Sequence, residues 1–207
     1  GAEPGDRPLL TKGAGIEATA ILATDFREAC AEAGVTAETL DAAAAFLDDV
    51  SVVPDGAAVR GAATAMHDPT EGGLLTALVE TANASGTVLS VERGRIPVRP
   101  ETEACCAALG VDPLATFGSG ALLEAVPPER VEEATDALAA AGIDAGEIGE
   151  VRAMDDEGEA SDDKGEAGDN EGDVPDGDGG KGDGGHVCLD GDRIGEAPRD
   201  ELYPLWE

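Results

Sequence analysis

Met66-His67-Asp68-Pro69-Thr70-Glu71-Gly72-Gly73-Leu74-Leu75 is the stretch that decides how this chain is read. Just before it, Ala62 to His67 is a short apolar run that predicts a strand. Behind it, Glu71 to Ala84 places apolar residues at 74, 75, 78, 79 and 82, the recurrence of a helix with one buried face. Asp68 and Thr70 are residue types that cap helices, while Gly72 and Gly73 leave backbone amides uncovered. A strand, a turn and a helix N-terminus built this way offer unpaired N–H groups and the positive end of a helix dipole to an anion such as phosphate. An ordinary capped helix has the same pattern, so the stretch alone leaves both readings open.

Outward from the turn, helical and strand signals alternate. Arg7 to Lys12 predicts a strand, Ile16 to Gly34 a helix broken near Asp25, and Thr36 to Leu47 an Ala-rich helix with Thr36 at its cap. After the central helix come a strand over Thr87 to Glu92, a helix over Glu101 to Leu109 and a strand over Ala121 to Val126. Pro128 to Ala141 predicts a helix opened by Pro and stopped by Gly142. Glu147 to Val151 and His186 to Leu189 read as two strands joined in an overgrown hairpin. This order predicts an α/β (α+β) domain with a central mixed sheet flanked by helices, over residues 1–153 and 187–207.

Between these last strands, residues 154–186 hold thirteen acidic residues, two lysines and ten glycines, a net charge of -11 with little to bury. Such a composition does not offset its ordering entropy and predicts a disordered acidic insertion. Asp176 to Asp183 has acidic residues without the regular spacing or the bidentate Glu of a calcium loop. The remaining 174 residues still carry -21 of the total -32, so the acidity belongs to the folded part as well.

A field of that sign repels phosphate backbones and anionic lipid surfaces, which excludes an ordinary nucleic-acid or membrane-surface binder. No run approaches the roughly 18 apolar residues of a membrane helix, and the first eight residues lack a signal core, so a cytoplasmic location is expected. With three lysines beside ten arginines and many small apolar side chains, the surface suits a salt-rich, halophilic cytoplasm. There the Debye length falls to about 3 Å at 1 M ionic strength. Cys30, Cys105, Cys106 and Cys188 have no CxxC spacing and predict small buried thiols, with no metal site.

Taken together, MHDPTEGGLLTALVETANASG, IPVRPETEACCAALGVDPLATFGSGALL and LLTKGAGIEATAILATDF resemble the C-terminal half of the aminoimidazole ribonucleotide (AIR) synthetase, or PurM, superfamily. Within it they are nearest to the hydrogenase maturation protein HypE and the archaeal AIR synthase-related proteins. The likeness covers about residues 5 to 151 and resumes near 186. It implies the C-terminal domain of a two-domain ATP-dependent enzyme whose N-terminal domain dimerises and holds most of an ATP and Mg2+ site. That aspartate-rich half has no counterpart in this sequence, and Gly1 with the early first strand reads as the start of a fragment or of one half of a larger enzyme. The expected partners are therefore such an N-terminal half or a second copy, and a small-molecule substrate.

The resemblance also implies where ligand-facing residues lie. His67, Asp68, Thr70, Gly72 and Gly73 match a turn facing the cleft between domains. Lys12 belongs to the turn after the first strand, and Gly118, Ser119 and Gly120 to a glycine turn before a later one. No catalytic residue is assigned. His67 reads either as a base or as a satisfied strand-end histidine, Lys12 as a phosphate contact or a surface lysine, and Gly118 to Gly120 as a plain turn or a ligand loop. Two departures from HypE stand out. Glu71 replaces the usual Arg, and the sequence ends Leu202-Tyr203-Pro204-Leu205-Trp206-Glu207 where HypE has a terminal Cys, so the cyanide-forming route is not expected. The apolar members of that last run predict a tail docked on a groove of the domain or of a partner.

Overall fold

The structure is a computed structural model that describes residues 1–154 and 184–207. The predicted disorder of 154–186 and the acidic run Asp176 to Asp183 lie almost wholly outside the described residues. Two four-stranded sheets organise the domain. In the first, β1 (Arg7–Thr11) pairs with β4 (Leu123–Val126) and β5 (Ala145–Glu147), and β2 (Ala65–His67) lies outside β4, all antiparallel. In the second, β3 (Val88–Val91) has β6 (Gly149–Arg152) antiparallel on one side and β7 (His186–Leu189) parallel on the other, with β8 (Asp192–Ile194) beyond β7.

The α/β class predicted from the alternating pattern is present, with the strands divided between two sheets. The division occurs at Ile148. Its N–H donates to Pro8 O at 2.9 Å and its carbonyl accepts from Glu92 N–H at 3.0 Å, so residues 145–152 leave one sheet and enter the other. Val151 N–H to Asp6 O at 2.9 Å continues the seam.

One expectation is corrected. Strands β6 and β7 form no hairpin, because β3 lies between them, with Val88 opposite Arg152 on one side and His186 on the other. Buried Val88, Leu89 and Val91 make β3 a central strand that needs partners on both edges, and a β6–β7 hairpin would leave one edge bare. Sequence adjacency pointed to the wrong pairing because β6 and β7, consecutive among the described strands, both pair with the earlier strand β3.

Helix α5 (Gly73–Ser85) packs across the seam. Its Leu74, Leu75, Leu78 and Val79 join Leu10, Leu89, Leu123, Ile148 and Val187 in the largest core cluster. Each fully buried side chain of this size contributes about 1.5–3 kcal/mol. The helix ends at Gly86, whose left-handed φ of 64° lets its N–H reach Ala82 O.

A second cluster joins α1 (Ile16–Thr24), α2 (Arg27–Glu32), α3 (Ala37–Ala44) and α6 (Pro100–Leu109) around Leu22, Cys30, Leu40, Cys105 and Cys106. The predicted break near Asp25 separates α1 from α2, and Thr36 caps α3 by accepting Thr39 N–H at 3.1 Å. On the opposite side of β1 and β4, α4 (Val53–Val59) and α7 (Val131–Ala140) cover Leu9, Leu122 and Val126.

The tail docks on its own domain. Leu202 is fully buried in the second cluster, and Trp206 lies 5.3 Å from Phe26 and 6.5 Å from Phe117 between ring centroids. None of the helices among the described residues is long and apolar enough to cross a membrane.

Candidate functional site

Pro69 is buried at the centre of the turn between β2 and α5, with Asp68, Thr70 and Glu71 exposed around it. Thr70 O accepts Gly73 N–H at 3.1 Å and Gly118 N–H at 2.9 Å, which ties the turn to the loop before β4. Leu75 N–H to Leu114 O at 3.0 Å extends the join.

Gly72 and Gly73 both adopt left-handed conformations, with φ of 74° and 63°. At Gly73 a Cβ would lie 2.8 Å from Leu114 O and 2.9 Å from Thr116 N, and at Gly118 it would lie 2.8 Å from Pro69 Cβ. Only glycine meets both the backbone angle and the close approach. The structure therefore brings Thr70, Gly72, Gly73 and Gly118 into one backbone-lined corner. Ser119 and Gly120 continue that loop, but they serve α1: Ser119 O accepts Glu17 N–H at 3.2 Å, and Gly120 packs against Ile16.

Helix α5 begins at this corner with no acidic residue in its first turn and no side-chain cap of its own. The anion it receives is Asp200 from the tail. Asp200 is 2% exposed, accepting Gly72 N–H on Oδ2 at 2.8 Å and Leu202 N–H on Oδ1 at 2.9 Å. Nearby, Tyr203 hydrogen-bonds the Glu71 carboxylate, which raises the phenol's pKa. The buried hydroxyl of Thr76, beside Gly72, has no hydrogen-bond partner among the described residues, and neither has that of Thr116, whose backbone packs on Gly73. No local sequence signal points to Asp200, which is 128 residues from Gly72.

His67 and Lys12 stand apart from this corner. His67 Nε2 is 2.7 Å from Glu80 Oε2, and Glu80 lies seven residues, about 10 Å along the helix axis, from Gly73. The imidazole is thus held down the flank of α5, with Nδ1 buried and without a partner among the described residues. Lys12 Nζ donates to Ser51 O at 2.9 Å and Asp49 O at 3.1 Å and forms an ion pair with Asp55 Oδ2 at 3.2 Å, so its charge and two of its donors are engaged within the domain. It lines a polar cavity of about 260 Å3 with Asp49, Asp55, Arg99 and Asp144, to which no residue of the glycine corner contributes.

Beneath that cavity lies a feature the sequence reading missed. Thr11 donates its hydroxyl to fully buried Asp55 at 2.6 Å and accepts Leu122 N–H at 2.9 Å. Glu124, 1% exposed, has neither carboxylate oxygen hydrogen-bonded among the described residues. Burial first, and the negative charge of Asp55 second, push its carboxyl up to about 8. A carboxyl raised this far is protonated at neutral pH, so Glu124 adds no charge to the interior beside the Lys12–Asp55 ion pair. The available signal was an acid within the apolar run Ala121-Leu122-Leu123-Glu124-Ala125-Val126.

Among the described residues, no group of three or more His, Cys, Asp or Glu is placed to hold a metal ion. Cys105 and Cys106 are buried, and burial pushes their thiols up to about 11 and about 12.

Comparison with known proteins agrees with this architecture. HypE of Rhizobium leguminosarum bv. viciae, a carbamoyl dehydratase, is 34% identical over 120 residues, which is 52% of this chain and 34% of that protein. The crystal structure of Escherichia coli HypE superposes with a TM-score of 0.66 at 23% identity, covering 98% of this chain and 52% of that one. A HypE crystallised in complex with ATP gives a TM-score of 0.59 at 23% identity, covering 96% and 53%. The chain thus spans about a third of the curated relative and about half of each solved structure. The family described as AIR synthase related protein, C-terminal domain, matches residues 3–160, and this chain belongs to that family.

Proposed function

We propose that this chain is the C-terminal domain of an ATP-utilising AIR synthase-related enzyme that activates an amide or carbonyl oxygen. The corner of Thr70, Gly72, Gly73 and Gly118 positions phosphate or substrate, with the Gly72 amide, which Asp200 now takes, as its donor and with Asp68 and Ser119 at its rim. His67 and Lys12 support the adjoining strand ends, and no side chain of this half is assigned the chemical step. An N-terminal half, or a second copy that supplies one, holds most of the ATP and its Mg2+. Residues 1–153 and 187–207 form the domain in this reading, and 154–186 are an insertion into it.

The observation that carries the proposal is Gly73, where backbone atoms of Leu114 and Thr116 leave no room for a Cβ, so that the chain entering α5 carries no side chain of its own at Gly72 and Gly73. The relative solved with ATP supports the nucleotide, and the excess of 45 acidic over 13 basic residues supports a salt-rich cytoplasm as the working environment.

A second reading is favoured by Asp200, which already takes the Gly72 amide. In it the domain keeps the fold as a binding or scaffold module without chemistry. A HypE-like role in hydrogenase maturation is a narrower form of the first reading, supported by the HypE relatives. Supplying the N-terminal half of a relative in trans and following ATP turnover separates the readings. Turnover that depends on both halves is expected, and a well-folded mixture that binds ATP without turnover favours the scaffold.

A further inference from the structure

The Pro198–Trp206 segment is held at both sides of the glycine corner. Asp200 takes Gly72 N–H, and Pro198 O would lie 3.2 Å from a Cβ at Gly72. Glu201 N–H donates to Ala115 O at 3.0 Å, while the Glu201 carboxylate accepts Asp112 N–H at 2.6 Å. Beyond these polar ties, Leu202 is buried and Tyr203 packs edge-on against Phe117 at 5.6 Å. A carboxylate on a helix N-terminus is a charge-assisted bond, stronger than a neutral cap, and it claims the site that an incoming anion needs.

We propose that this tail is a self-inhibiting strap: the Asp200 carboxylate occupies the α5 amide site, and an anionic ligand of the phosphate class binds there only as the strap lifts. The inference rests on the phosphate reading of the turn. Thr76, whose buried hydroxyl lies beside Gly72 with no partner among the described residues, supplies a further donor that a tetrahedral anion uses and a single carboxylate leaves idle. Exchange at the corner is therefore carboxylate for phosphate, with the aromatic residues of the tail leaving Phe26 and Phe117 together.

Trp206 is the only tryptophan, so its fluorescence reports the strap directly. The full chain is titrated with tripolyphosphate while Trp206 emission and the Gly72 and Gly73 amide resonances are followed. Asp200→Asn is the first variant, because Asn still caps a helix and preserves the shape while removing the charge. Deletion of 203–207 is the second, leaving Asp200 in place but removing the aromatic anchor.

The expected result is a red shift of Trp206 that tracks the amide shifts, and affinity about tenfold higher in Asp200→Asn, the scale of one charge-assisted hydrogen bond. Amide shifts without any change at Trp206, or equal affinity in the folded variants and the parent, overturn the strap and leave the phosphate site standing. Folded variants that bind no tripolyphosphate at all overturn both.

Discussion

Replacing Glu124 with Gln should stabilise the domain at alkaline pH, by an amount that grows as pH rises. The folded carboxyl is raised from an ordinary 4.5 to about 8, so between these values the native state holds a proton that the unfolded chain releases. Stability from this group is therefore fully present below about pH 4.5 and is lost as pH rises through 8. At about 1.4 kcal/mol per pH unit, the full loss reaches roughly 5 kcal/mol, an upper bound that water entry would reduce to roughly 2–3. The Gln amide removes the titration and keeps the volume, although its own donors stay unsatisfied.

The assay is urea unfolding of parent and variant at a series of pH values from 5 to 9, at one fixed KCl concentration. The difference in unfolding free energy should be small or unfavourable to Gln near pH 5, and should favour Gln by a few kcal/mol at pH 9. A difference independent of pH would show that Glu124 does not titrate in this range, and the account of a neutral buried acid would be wrong.

Gly73→Ala forces a left-handed alanine against the backbone of Leu114 and Thr116 and should cost at least about 1–3 kcal/mol, read as a lowered Tm. In native-state alkylation near pH 8, half-buried Cys188 should label before Cys30, Cys105 and Cys106, whose buried thiols are raised, and mass spectrometry would show the opposite order if the helical cluster were open. Melting in increasing KCl should raise Tm as the net charge of -32 is screened, and a flat or falling Tm would contradict the salt-rich setting.

Much of the fold was legible because its signals are local. Apolar spacing from Leu74 to Ala82 marks α5, Pro100 and Gly110 bracket α6, and Thr36 caps α3 where the sequence placed it. Helix α4 was not legible, since Val53-Pro54-Asp55-Gly56 carries a glycine inside a single short helix and leaves Val53 77% exposed. Strand β8 is three largely solvent-facing residues, too short and polar for a periodic signal.

The pairing of β6 and β7 with β3 depends on which strand needs two neighbours, a property of the assembled sheet. At the site, the glycines were visible as a pattern, and the structure shows why they are glycines. Asp200 was invisible for the opposite reason: a cap supplied from 128 residues away leaves no mark near the helix it caps. Lys12 looked like a free cation between Thr11 and Gly13, and the Asp55 that holds it belongs to the helix that was missed.

The central claim is that the glycine corner of this half is a usable phosphate site. Calorimetry of Mg-ATP binding to the purified chain in concentrated KCl, paired with amide spectra of Gly72, Gly73 and Gly118, tests it most directly. The account predicts weak saturable binding with shifts concentrated at those three amides. Absence of binding by a demonstrably folded chain, or binding whose shifts fall around Lys12 and Arg99 instead, would contradict it.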